Sequence, residues 1–161
     1  MSSDLKLEAE IRFVLENRER ASQRLTQLQT QAKEWAARQA PFAQVLHPAL
    51  PASPGHAHWQ AVCGAADAAG QGAAASLFSV VIDEKFSREQ VDAFCDALRL
   101  FRIGYSWGGP FSLVMPYELQ TMRHDWPAHL ARGTLVRFAI GLEDTADLQG
   151  DLQHAMQQTL A

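Results

Sequence analysis

Apolar residues recur at helical spacing across residues 4–38. Leu25, Leu28, Ala32 and Trp35 form one set, and Leu5, Ile11, Val14 and Leu15 form an earlier one. Neither Gly nor Pro interrupts the pattern, so it predicts one long helix that Pro41 stops. A single helix of this length is marginal in water and must pack along a domain or pair with a second chain. Its charged positions, from Glu8, Glu10 and Arg12 to Arg18 and Arg20, form a solvated face with pairs at i,i+4 spacing.

Beyond Pro41 the pattern changes. Prolines at 48, 51 and 54 bias the residues before them away from helix, which predicts a loop over 45–55. Residues 56–63 read as a short helical piece. Residues 64–76 are nearly all Ala and Gly and read as a flexible connection or weak helix. Residues 77–82 (LFSVVI) are β-branched and aromatic, a good strand. Ser87 with Gln90 makes a capping box, and Phe86 against Val91 fits a hydrophobic staple. The helix they open runs to Leu98 with Val91, Phe94 and Leu98 on one face. Further strands are predicted over 100–106, 111–115 and 134–140. Asp144 caps a last helix whose inner face is Leu148, Leu152, Ala155 and Met156. The order predicts an α+β fold: an antiparallel-rich sheet of about four strands with helices packed on one face, preceded by a long N-terminal helix. The division is a helical segment over 1–40 and one domain over 41–161.

Composition narrows the function classes. Hydrophobic residues make up 47% of the chain and charged residues 20%, a globular balance. The net charge of −4 argues against non-specific nucleic-acid binding, which needs a basic face. No apolar run approaches the roughly 20 residues that span a bilayer, and residues 1–10 lack the layout of a signal peptide. Cys63 and Cys95 form no CxxC pair, so reduced thiols in the cytoplasm are expected. Cys63 has no evident basic partner that would mark it as a nucleophile, and Cys95, beside Phe94 on a helix, is either buried or faces solvent. His56 and His58, with His47 nearby, have no carboxylate placed to complete a metal site, and His124 and His129 read as surface residues. Ser106 lies in no Gly-x-Ser-x-Gly elbow, which excludes a serine hydrolase of that kind. Arg137, between Val136 and Phe138 in a strand, points to the opposite face from both.

Several motifs occur in a fixed order: Val45-Leu46-His47-Pro48-Ala49-Leu50-Pro51, Pro54-Gly55-His56 with Trp59, and Leu77-Phe78-Ser79. Tyr105-Ser106-Trp107-Gly108-Gly109, Ser112-Leu113, Gly133-Thr134-Leu135-Val136-Arg137 and Ile140-Gly141-Leu142-Glu143-Asp144 with Asp147-Leu148 follow. Together they resemble the C-terminal, small domain of cystathionine β-lyases, enzymes of Cys/Met metabolism that depend on pyridoxal phosphate (PLP). The resemblance runs from about Trp35 to Ala161. It implies a domain that leans on a larger PLP-binding domain and closes over an amino-acid substrate. The reaction implied is β-elimination of cystathionine to homocysteine, pyruvate and ammonia, a step of transsulfuration and methionine biosynthesis. By its place in the Gly-Thr-Leu-Val-Arg strand, Arg137 would grip the substrate carboxylate, since a guanidinium fork matches a carboxylate. Ser106 and Trp107, with Tyr105 before them, would line the same pocket.

Two departures bear on activity. The lysines, Lys6, Lys33 and Lys85, do not stand in the Ser/Thr-rich setting of a family Schiff-base lysine, and no Gly-rich phosphate turn is present. Residues before about Arg20 do not match the family. PLP is therefore expected to come from another domain, with none bound to this chain alone, no catalytic residue here, and no activity in isolation. The alternative is a non-enzymatic dimerisation or interaction module derived from that domain. The partners expected are an amino-acid substrate, a PLP domain, or a second copy in a homo-oligomer, but neither nucleic acid nor membrane.

Overall fold

The computed structural model describes residues 41–63 and 76–160. The expected helix over 4–38 and residues 64–75 of the Ala/Gly stretch lie outside those residues. Along the chain run β1 (Phe42–Leu46), α1 (His56–Cys63), β2 (Leu77–Asp83), α2 (Arg88–Ala97) and β3 (Arg102–Ile103). Then come β4 (Leu113–Tyr117), α3 (Leu119–Met122), β5 (Gly133–Ala139) and α4 (Thr145–Thr159). The strands form one sheet in the order β1-β2-β5-β4-β3. All neighbours are antiparallel except the short β3–β4 pair. The class is α+β, as the pattern predicts.

The strand count is corrected from about four to five. β1 escapes the sequence pattern because its register with β2 shifts between Phe42 and Gln44. That bulge breaks the alternation that marks a strand. The expected strand over 100–106 shrinks to two residues. On its near side, the N–H groups of Arg99 and Leu100 donate to the Asp151 carboxylate instead of a neighbouring strand, at 2.8–3.0 Å. On its far side, the carbonyl of Tyr105 turns towards Arg137. β4 begins at Leu113, two residues later than the pattern suggests, because the Ser112 N–H is taken by Glu143.

One face of the sheet carries the core. Phe78, Val80 and Ile82 of β2, Val114 of β4, and Val136 and Phe138 of β5 point the same way, each at most 5% exposed. Against them pack Val91, Phe94, Cys95 and Leu98 from α2 and its end, and Leu148, Leu152, Ala155 and Met156 from α4. Phe138 stacks on Phe78 with ring centroids 5.2 Å apart and meets Phe101 edge-on at 5.4 Å. Such pairs add about 0.5–1.5 kcal/mol each beyond the area they bury. The capping box at α2 is formed, with Gln90 N–H on the Ser87 hydroxyl and Ser87 N–H on the Gln90 side chain. Phe86 packs against the core cluster, as a staple requires. Asp144 caps α4 by accepting the Ala146 N–H at 2.8 Å. Because Val136 and Phe138 are locked into this core, the residue between them has no choice of side.

Candidate functional site

Arg137 emerges on the sheet face opposite the core. Its neighbours across the sheet are Ser79 on β2 and Met115 on β4. The side chain reaches over β4 to the loop that follows β3. There Nη2 donates to the carbonyl of Tyr105 at 2.6 Å and, more weakly, to that of Gly104 at 3.3 Å. Nε and Nη1 have no hydrogen-bond partner among the described residues. The guanidinium lies 5.7 Å from the Tyr117 ring centroid, inside cation–π range. Tyr117 in turn meets Tyr105 edge-on at 6.3 Å. Arg137, Tyr105 and Tyr117 thus form one cluster, fed by β5, the loop and β4.

Ser106 and Trp107 follow Tyr105 directly. All three are exposed, Tyr105 at 66% and Trp107 at 67%. Of the four residues expected at the site, Arg137 and Tyr105 are joined by a hydrogen bond, while Ser106 and Trp107 stand beside that bond and open to solvent. Phe111 closes the loop with its ring 4.6 Å below the Arg102 guanidinium. Ile103 and Phe111 are also more than half exposed, so this end of the sheet carries an apolar patch. Tyr117 is the residue that sequence reasoning misses. The signal was present, since 113, 115 and 117 alternate onto the Arg137 face of β4.

The other groups singled out by the sequence lie elsewhere. His47 is buried and its Nδ1 accepts the Ala49 N–H at 3.1 Å, which organises the proline-rich loop. His56 bonds through Nδ1 to the Pro48 carbonyl and stacks on Trp59. Among the described residues no three His, Cys, Asp or Glu side chains gather as a metal site. Cys95 is buried in the core, where burial above all, then Asp92 and Asp96, pushes its thiol up to about 12. No helix among the described residues is long and apolar enough to cross a membrane.

Residues 19–157 match the profile of a family described as Cys/Met metabolism PLP-dependent enzymes. The chain belongs to that family. Cystathionine beta-lyase MetC of Escherichia coli (strain K12) is 38% identical over 122 residues, which cover 74% of this chain and 29% of that protein. An L-alanine/L-glutamate racemase of Wolbachia pipientis wMel is 32% identical over 123 residues, covering 76% of this chain and 28% of the racemase. Among solved structures, cystathionine gamma synthase from Xanthomonas oryzae pv. oryzae in complex with cystathionine superposes with a TM-score of 0.59 at 25% identity. That match covers 87% of this chain and 34% of the synthase chain. The chain therefore spans less than a third of the length of these curated relatives.

The described residues do not by themselves fit PLP. Lys85, the one lysine among them, sits in the turn after β2, its ammonium 5.0 Å from the Phe86 ring centroid. That turn lies past Asp83, which pairs with Gly133 at the start of β5. Arg137 is four residues further along β5, roughly 13 Å away at strand spacing.

Proposed function

We propose that this chain is the substrate-closing domain of a PLP-dependent carbon–sulfur lyase acting on cystathionine or a close relative. The reaction served is the β-elimination of cystathionine, with water, to homocysteine, pyruvate and ammonia, in a cytoplasmic route to methionine. The domain occupies residues 41–161, and the cofactor is supplied by another domain. The observation that carries this reading is the Arg137 fork. One corner is tied to the Tyr105 carbonyl, and the other donors are open beside Ser106 and Trp107. An incoming α-carboxylate would take the open donors and replace the long contact to Gly104. The Tyr105 bond then holds the guanidinium plane still while the carboxylate docks. Ser106 offers a hydroxyl and Trp107 an indole N–H and an apolar wall, and together they orient the substrate and exclude water from one side.

The test is an L-cystathionine titration of the chain followed by NMR, beside a PLP absorbance titration and a pyruvate assay. Weak binding is expected, weakened at least about tenfold by Arg137→Ala, as suits loss of charged hydrogen bonds. Pyruvate and a retained PLP band are not expected from the chain alone. Binding indifferent to Arg137→Ala would remove the site assignment, and pyruvate formed by the isolated chain would overturn the division of labour between domains.

A second reading has its own observation. Ile103, Tyr105, Trp107 and Phe111 are apolar or aromatic residues exposed along the β3 edge and the loop after it, which also suits a non-enzymatic interaction module that pairs two chains.

A further inference from the structure

The loop that bears Ser106 and Trp107 is tied to the fold at both ends. Its start is held by the Arg137 bond to the Tyr105 carbonyl. Its far end, residues 110–112, is gripped by residues 141–143. One carboxylate oxygen of Glu143 accepts the Ser112 N–H at 2.6 Å, and the other accepts the Ser112 hydroxyl at 2.8 Å. The same hydroxyl oxygen accepts the Gly141 N–H at 2.9 Å. Leu142 N–H donates to the Pro110 carbonyl at 2.9 Å, and Arg102 N–H to the Ser112 carbonyl at 3.0 Å. Ser112 is wholly buried. A Cβ at position 141 would collide with the Pro110 carbonyl oxygen, the Phe111 carbonyl carbon and the Glu143 carboxylate, so only glycine fits there. Between the two ties, residues 106–109 make no hydrogen bond among the described residues.

We propose that Glu143 is a positioning residue. By gripping Ser112 with both carboxylate oxygens, it sets the placement of the 105–109 loop over Arg137, and with it the position of Ser106 and Trp107 against a bound carboxylate. Two bonds from one side chain to the N–H and hydroxyl of a single residue fix its direction as well as its distance, which suits a tie that must fix a loop end. Glu143 directly precedes Asp144, the cap of α4, and α4 is anchored by buried Leu148 and Leu152. The loop is thereby referenced to the helix layer and not only to its own flanking strands. A loop held in place before binding loses less freedom when the ligand arrives. The role in ligand placement rests on the reading of Arg137 given above, whereas the ordering of the loop does not.

The experiment compares Glu143→Gln, Glu143→Asp and Glu143→Ala in the full chain. Gln keeps the clamp without the charge. Its carbonyl oxygen accepts the Ser112 N–H, and its amide donates to the Ser112 hydroxyl oxygen, which has a second lone pair for Gly141. Asp keeps the charge but is one methylene too short to hold both groups. Two readouts are followed: the heteronuclear 15N NOE of residues 106–109, and the L-cystathionine affinity from the Trp107 indole shift. Gln should stay close to the parent in both, slightly below it because the buried Ser112 hydroxyl proton loses its acceptor. Ala should lower the NOE of 106–109 while β2 and β5 keep theirs, and should weaken L-cystathionine about tenfold, with Asp between the two. Should the Ala variant not fold, the Asp and Gln pair makes the same comparison. Loop NOE values at the parent level in Ala or Asp would overturn the proposal, and so would a Gln variant as loose as Ala, which would assign the role to charge. If L-cystathionine binds neither the parent nor any variant, the Arg137 reading falls, while the loop comparison still decides whether Glu143 orders the loop.

Discussion

At the scale of single residues, position along a strand decides chemistry. Arg137 and its neighbours Val136 and Phe138 differ by one step, yet the latter two are buried and Arg137 reaches solvent and the Tyr105 carbonyl. Cys95 shows the opposite outcome. Burial dominates its environment, so the thiol is raised from an ordinary value of 9.0 to about 12 and stays protonated. The neutral form is the one favoured by folding. Its contribution to stability is therefore complete below about pH 9 and is lost as pH climbs from there towards about 12. Iodoacetamide at pH 8 should label Cys63, which is partly exposed, and leave Cys95 unmodified until the chain unfolds. Equal labelling of both in the folded chain, read by peptide mass, would contradict this placement. Arg137 was legible in the sequence because alternation is a one-dimensional signal. Tyr117 carries the same alternation signal, but its contact with Arg137 is a diagonal one that only the pairing of β4 with β5 fixes.

At the scale of elements, the ends carry information that the interiors do not. The starts of α2 and α4 were readable, since Ser87 with Gln90 and Asp144 are local cap patterns that the structure forms, whereas α3 has no side-chain cap to mark it. β1 and the limits of β3 were not readable. A bulge hides the first, and a carboxylate from another helix cuts short the second. That carboxylate is Asp151, nearly buried and accepting two backbone N–H groups before β3. Asp151→Ala leaves both donors without a partner and should cost about 2–3 kcal/mol in urea unfolding, against about 1 kcal/mol for Ser87→Ala at the exposed cap. Asp151→Asn, which keeps one acceptor oxygen, should fall between. The ordering matters more than the values: a larger loss at Ser87 than at Asp151 would mean that the Asp151 bonds are not what ends the α2–β3 connection.

At the scale of the molecule, α2 and α4 cover one sheet face, and the loop over the arginine face exposes Tyr105, Trp107 and Phe111, with Ile103 exposed at the neighbouring sheet edge. The one-sided helix layer was legible from the order of predicted elements, and the family match bears out the ancestry that the motifs suggest. Five strands were harder to count than the class was to recognise, because β1 is both bulged and flanked by Pro41 and Pro48. If the patch joins two copies, Ile103→Lys with Phe111→Ser should shift the mass by light scattering from dimer to monomer at equal concentration. A monomer in both forms would leave the patch to another domain.

The strand order has a consequence for how such a chain is made. β5 lies between β2 and β4 and is the last strand in sequence. During synthesis from the N-terminus, the sheet has no centre until residue 139 has left the ribosome. Until then Val80, Val81 and Ile82 have no strand to pair with on that side, and their apolar side chains remain open to wrong partners. A nascent domain of this kind is open to mispairing until β5 emerges between β2 and β4, and α4 then completes the core.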